Sequence, residues 1–234
     1  MDYKKAVIIG TDGQMNGLLA EAIAGRGVSV EELTGPGRMP DGGVGAYASQ
    51  EELLAACRRI AEMKGAPDYL IVSVMEDPAK QYGMLHELNE QKWHSAKRDS
   101  VDMVYGAAKV LIAPMVERGG RVLFIGALGG VMSAAGQSAA SAMSAGTVTL
   151  MQAVAAESDG AISANALLLG PMEGCRGGMD ADEKLLAHIP KGRKGRAEEA
   201  VSLAVYALLD APDYFSGNVL RLDGGLTASY MREW

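Results

Sequence analysis

Three features of this 234-residue sequence predict an α/β fold built on one doubly wound parallel sheet. Short apolar runs alternate with longer stretches of helical spacing from one end to the other. The runs are continuous rather than alternating, as in strands covered on both faces. No linker, repeat or low-complexity tract divides the chain, so residues 1–234 read as a single domain.

The elements follow in order. Residues 6–10 (AVIIG) form the first buried strand. Residues 17–27 have helical spacing at Leu18, Leu19, Ala22 and Ile23, with Gly25 and Gly27 as stops. Residues 28–33 form a second strand, made unusually polar by Glu31 and Glu32, and 36–45 are a turn-rich loop containing Arg38. Residues 51–63 are an amphipathic helix with Leu53, Leu54, Cys57, Ile60 and Ala61 on its apolar side. Residues 68–74 (DYLIVSV) are a buried strand, 86–115 are largely helical, and 121–125 are another strand. A long helix at 137–157, a strand at 163–169, a helix at 197–209 and a strand at 218–222 complete the pattern.

Bulk properties exclude several classes. A formal charge of −7 and a pI near 5.1 argue against nucleic acid or an anionic membrane as partner. Two cysteines, Cys57 and Cys175, are too few for a disulfide framework and suit a reducing compartment. The start, MDYKKAVIIG, lacks the pattern of a secretory leader, and no apolar run approaches the ~20 residues a bilayer requires. A cytoplasmic protein is expected.

Residues 122–157 (VLFIGALGGVMSAAGQSAASAMSAGTVTLMQAVAAE) carry the most information. A buried strand leads through a Gly/Ala/Ser loop into a long helix of small residues. This layout resembles the active-site segment of the short-chain dehydrogenase/reductase (SDR) family. The resemblance covers about residues 5–226 and is strongest at the end, in IPKGRKGRAEEAVSLAVYALLDAPDYFSGNVLRLDGGL. It also includes Trp93 near the start of the central long helix. It implies a Rossmann-type sheet with a dinucleotide at the C-terminal strand ends.

The residues that perform the family's chemistry are missing. Counted back from Glu157, the family's tyrosine falls at Ala140 and its lysine at Ser144; its serine falls at Ala127 and its helix asparagine at Ser100. Neither a methyl group nor an unassisted hydroxyl can exchange a proton as an activated tyrosine does. The phosphate turn keeps Gly10 but has Gln14 and Asn16 where glycines are expected, and Asp12 adds negative charge. A register using Gly10, Gly13 and Gly17 displaces the helix by one residue. The ribose position is Thr34, and Val72, Ser73, Val74 and Met75 replace the family's Asn-Asn-Ala-Gly. The turn after the strand at 163–169 reads Leu169-Gly170-Pro171, where the family has Pro-Gly. The vestigial turn Gly10, Gly13, Asn16 is therefore expected to bind no cofactor.

Other conspicuous residues have ordinary readings. His86, His94 and His188 are dispersed and lack metal-ligand spacing, and Cys57 reads as a core thiol. Cys175 has no paired histidine nearby. Ser133, Ser138 and Ser141 suit close helix packing, and Met143, Met151, Met172 and Met179 suit core or lid packing. Lys191, Arg193, Lys194 and Arg196 form a basic loop that is either solvated or directed at a phosphate such as that of coenzyme A.

Family resemblance without family chemistry implies a silent subunit. Such a chain assembles with an active NAD-dependent paralogue, in a heterotetramer, and stabilises it. The partner would hold the NAD and oxidise an alcohol such as a hydroxyacyl-CoA. The family resemblance places the assembly surfaces on the two central long helices and on the last helix and strand. Two alternatives belong to other classes: a divergent enzyme using a serine or Tyr105 in the cleft, and a ligand-binding sensor.

Overall fold

The computed structural model describes residues 4–35, 49–74, 83–174 and 183–229. Arg38, Met75, Cys175 and Met179 lie outside the described residues. The sheet has six parallel strands in the order β2-β1-β3-β4-β5-β6. They are β1 (Lys5–Gly10), β2 (Ser29–Thr34), β3 (Tyr69–Ser73), β4 (Gly120–Ala127), β5 (Ile162–Leu169) and β6 (Val219–Leu222). The order reverses between β1 and β3, so the strand ends Gly10 and Ser73 border the switch point where this architecture binds ligands.

Helices cover both faces. On one side α1 (Gly13–Ala24) buries Met15, Leu19 and Ile23, and α7 (Ala197–Val205) buries Ala197, Ala200, Val201 and Ala204. On the other, α2 (Gln50–Lys64), α4 (Met103–Val116) and α5 (Ser138–Glu157) pack Leu53, Cys57, Val104, Leu111 and Met151 around Phe124. Two shorter helices, α3 (Glu90–Lys97) and α6 (Glu183–His188), precede α4 and α7. Strand residues alternate between the two cores: Leu70 and Val72 face one, Tyr69 and Ile71 the other. Each fully buried aliphatic side chain contributes roughly 1.5–3 kcal/mol.

Polar residues set the helix starts. Asp12, Ser49 and Asn89 accept backbone N–H groups at the first turns of α1, α2 and α3. The cap at Asp12 corrects one expectation, because α1 begins at Gly13 rather than Gly17. The polarity of β2 also has a structural cause. It is an edge strand, where Glu31 pairs with Lys64 and Glu32 accepts from Thr34. The segment expected to be helical over 86–115 is divided into a 3-10 turn at Leu85–Glu87, α3, a π turn at Arg98–Asp102, and α4.

α5 requires a second correction. By length and composition alone it is apolar enough to cross a membrane, as the core helix of a folded domain also can be, whereas the sequence reading expects no run that long. In the fold it packs on β4, β5, the turn after β4 and α3, burying Ala139, Ser141, Met143, Ser144, Thr147, Val148 and Met151. Only 39 % of its most apolar window is buried, which leaves a charge-free surface outward.

Candidate functional site

The first β-α turn forms one wall of the switch point. Asp12 is 3 % exposed, and its Oδ1 accepts from the N–H groups of Gln14 (3.0 Å) and Met15 (3.2 Å). These donors are among those a helix N-terminus offers to an external anion. Asn16 is fully buried, and its Nδ2 donates to Thr34 Oγ1 at 3.2 Å. A β-carbon at Gly10 would overlap the Asn16 carboxamide. Gln14 reaches the other way, to the turn after β5. A β-carbon at Gly174, whose φ is +71°, would lie 3.4 Å from Gln14 Nε2. Gly13 is exposed in the first turn of α1.

The ribose position at Thr34 is buried, and its hydroxyl is shared between Asn16 and Glu32. Val72, Ser73 and Val74 are buried as well, with the two valines inside the core beneath α2 and α4. Ser73 Oγ and Asn16 Oδ1 are both buried without a hydrogen-bond partner. A dinucleotide fits these residues poorly. The amides suited to a phosphate hold a carboxylate, and the space over Gly10 holds a carboxamide.

The positions that the resemblance matches to the family's catalytic residues lie at the end of β4, on α5 and in the π turn before α4. Ala127 ends that strand in extended backbone, and residues 128–130 turn directly onto α5. A β-carbon at Gly129 would stand 3.0 Å from Ser141 Cα, and one at Gly130 would stand 3.1 Å from the Ser144 carbonyl oxygen. Small residues on both partners allow this close approach. Ala140 is half-buried on α5, and Ser144, one turn later, is 6 % exposed. Ser144 lines a 10 Å³ void with Val74, Phe124, Gly126, Thr147, Val148, Ala166 and Leu168. That volume is about one water's worth.

Ser100 lies in the π turn, fully buried, and donates its hydroxyl to Ala96 O. Its neighbour Val101 touches α5 at Gly146, where a β-carbon would be 3.1 Å from a valine methyl. The structure thus gathers Ser100, Ala127, Ala140 and Ser144 into one region, without a tyrosine, lysine or free acid among those four. Tyr105 does not join them. It is 51 % exposed beneath Lys109, whose Nζ stands 5.6 Å from the ring centroid. Ser138 and Ser141 carry buried, unpartnered hydroxyls in the first turns of α5, consistent with packing.

This arrangement of a parallel sheet, capped turn and long small-residue helix has clear relatives. The family model described as Enoyl-(Acyl carrier protein) reductase matches residues 46–227. The chain belongs to the short-chain dehydrogenase/reductase family. A 3-oxoacyl-[acyl-carrier-protein] reductase of Pseudomonas aeruginosa is 28 % identical over 231 residues, covering 96 % of this chain and 88 % of the relative. The protein named inactive 2-(S)-hydroxypropyl-CoM dehydrogenase 2, from Xanthobacter autotrophicus, is 28 % identical over 197 residues, covering 80 % and 85 %. The crystal structure of levodione reductase superposes with a TM-score of 0.83 at 19 % identity, covering 97 % of this chain and all of the other. SDR membership accounts for the six-stranded parallel sheet with helices on both faces.

The remaining candidates are resolved by their neighbours. The basic loop is partly neutralised, because Arg193 grips Glu199 through two bonds of 2.8 and 2.9 Å. That guanidinium, with the Arg196 N–H, holds the Glu199 carboxyl down to about 2. Cys57 is fully buried, and desolvation pushes its thiol up to about 12, far from a reactive thiolate. His86 and His188 are exposed, near Glu87 and Lys184 O respectively, and His94 is exposed on α3. Among the described residues no His, Cys, Asp and Glu cluster could hold a metal.

Sequence reasoning missed three relationships, involving five residues. Asp12 preceding Gly-Gln-Met carried an N-cap signal that would have revealed its bond to the helix. Gly129 and Gly130 were seen only as loop residues, and the Arg193–Glu199 pair spans a turn that no helical spacing rule covers.

Proposed function

We propose that this chain is a non-catalytic SDR subunit that assembles with an active, NAD-dependent alcohol dehydrogenase paralogue and stabilises it. The observation that carries this reading is the packing at Ser144. The position of the family's lysine abuts loop backbone at Gly130 and lines a void of 10 Å³. No side chain there can lower a tyrosine's pKa, and Ala140 offers no tyrosine.

In this proposal the chain is a single domain over residues 1–234 and works in the cytoplasm. It binds no cofactor itself, and NAD resides in the partner of a heterotetramer. The outward surface of α5, uncharged until Glu157 and only partly buried, supports assembly. Similarity to a relative named inactive supports the loss of chemistry without specifying a partner. The substrate of the complex is a hydroxyacyl-CoA, for which 2-(α-hydroxybenzyl)succinyl-CoA of anaerobic toluene degradation is the working example. Co-expression with an SDR paralogue that retains Tyr-x-x-x-Lys, followed by affinity capture and assay of alcohol oxidation, tests the reading. Capture with NAD-dependent turnover supports it; turnover by this chain alone contradicts it.

A further inference from the structure

The turn from Asp12 to Asn16 does more than lose glycines. Its three polar side chains leave one helical turn in three directions. The Asp12 carboxylate folds back on the Gln14 and Met15 amides at 3.0 and 3.2 Å, inside the helix N-terminus. The Asn16 carboxamide covers Gly10 at the end of β1 and donates to Thr34 at the end of β2. The Gln14 carboxamide lies against Gly174 beyond the end of β5. Each contact occupies one region a bound dinucleotide would need: anion, close backbone approach and flanking loop.

We propose that Asp12, Gln14 and Asn16 form a built-in plug, an autoinhibitory contact that occupies the dinucleotide site from within. This rests on the silent-subunit reading and adds the device that keeps the site shut. Asp12 is the internal anion. An incoming phosphate has to displace a tethered carboxylate and then sit beside its charge, which disfavours entry twice. Asn16 is the steric element, fully buried over a glycine that has no side chain to resist it. Its Nδ2 is anchored to Thr34 Oγ1 at 3.2 Å, which holds the carboxamide in the space over Gly10. Gln14, exposed on the first turn of α1, extends the contact to Gly174 in the loop after β5.

The consequence is a vestigial site that is blocked rather than erased, because the sheet, α1 and Gly10 remain in place. The test is NADH and NADPH titration of the full-length chain by nucleotide fluorescence, beside a thermal-shift series. Wild type is compared with Asp12→Ser/Gln14→Gly/Asn16→Gly, which restores small residues while keeping a capping hydroxyl. Asp12→Ser/Asn16→Ala, gentler to the helix, is the second variant. Wild type is expected to show no saturable binding up to about 1 mM, and the variants to bind at least about tenfold more tightly.

Saturable wild-type binding at micromolar concentration overturns the proposal, as does a folded variant without any gain. Should the triple variant fail to fold, the double variant decides. If it unfolds as well, the turn is a folding element rather than a plug, and the proposal fails. Failure of the wild-type chain to capture a paralogue would strike the silent-subunit reading and leave the plug untouched.

Discussion

Gly130 lies directly against the Ser144 backbone, so that a β-carbon at Gly130 would stand 3.1 Å from the Ser144 carbonyl oxygen and 3.1 Å from a Val148 methyl. The helix position that the resemblance matches to the family's lysine forms the floor for this loop. Ser144→Lys therefore has little room and would bury an unpaired charge. It is expected to destabilise the chain by roughly 2–4 kcal/mol in urea unfolding. A loss below about 0.5 kcal/mol, the range of ordinary surface changes, would show that the cleft is open at this point.

The Asp-Gly-Gly ending has a structural role that can be measured. Gly225 adopts φ +90°, and a β-carbon there would press to 3.0 Å from Pro190. Asp223 holds this turn, accepting from the Gly225 and Thr227 N–H groups. Gly225→Ala combines a left-handed conformation with a contact against a rigid ring, and should cost about 1–3 kcal/mol by thermal unfolding.

Glu199 gives the chain a defined acid dependence. Its carboxyl is held to about 2, first by Arg193 and then by the Arg196 N–H, against an ordinary value of 4.5. A depressed folded value stabilises fully above the unfolded value and loses that contribution as the pH falls toward the folded one. The melting-temperature gap between wild type and Glu199→Gln should therefore shrink steadily as pH drops from about 4.5 toward about 2. A gap that widens on acidification would contradict the pairing.

The outward face of α5 can be tested without disturbing its core face. Ala142 and Thr149 are exposed, seven positions apart, on the charge-free helix. Arginines at both positions should leave monomer stability within about 0.5 kcal/mol and abolish complex formation in size-exclusion chromatography with light scattering. Unchanged assembly would place the interface elsewhere.

Much of this architecture was legible in the sequence, for identifiable reasons. Continuous apolar runs such as AVIIG and YLIVS mark strands because helices on both faces leave no solvent side. The matching of Ala140 and Ser144 to the family's tyrosine and lysine rests on a register counted back from Glu157 along one continuous helix, Ser138–Glu157. Long-range relationships were not legible. The odd polarity of Glu31 and Glu32 became intelligible only once β2 proved to be an edge strand. Asp12 was recognised as a negative charge, but not as the cap that satisfies the amides a phosphate would take. The Gln14–Gly174 approach joins residues 160 positions apart, and nothing local encodes it.

We propose that the chain keeps a dehydrogenase's fold while a partner performs the chemistry. Isothermal calorimetry and turnover assays on the purified chain, alone and with a co-expressed Tyr-x-x-x-Lys paralogue, test this most directly. The lone chain is expected to show neither NAD(H) binding nor turnover, and the complex to lose activity when this chain is withdrawn. Micromolar NAD(H) binding accompanied by alcohol oxidation in the lone chain would contradict it.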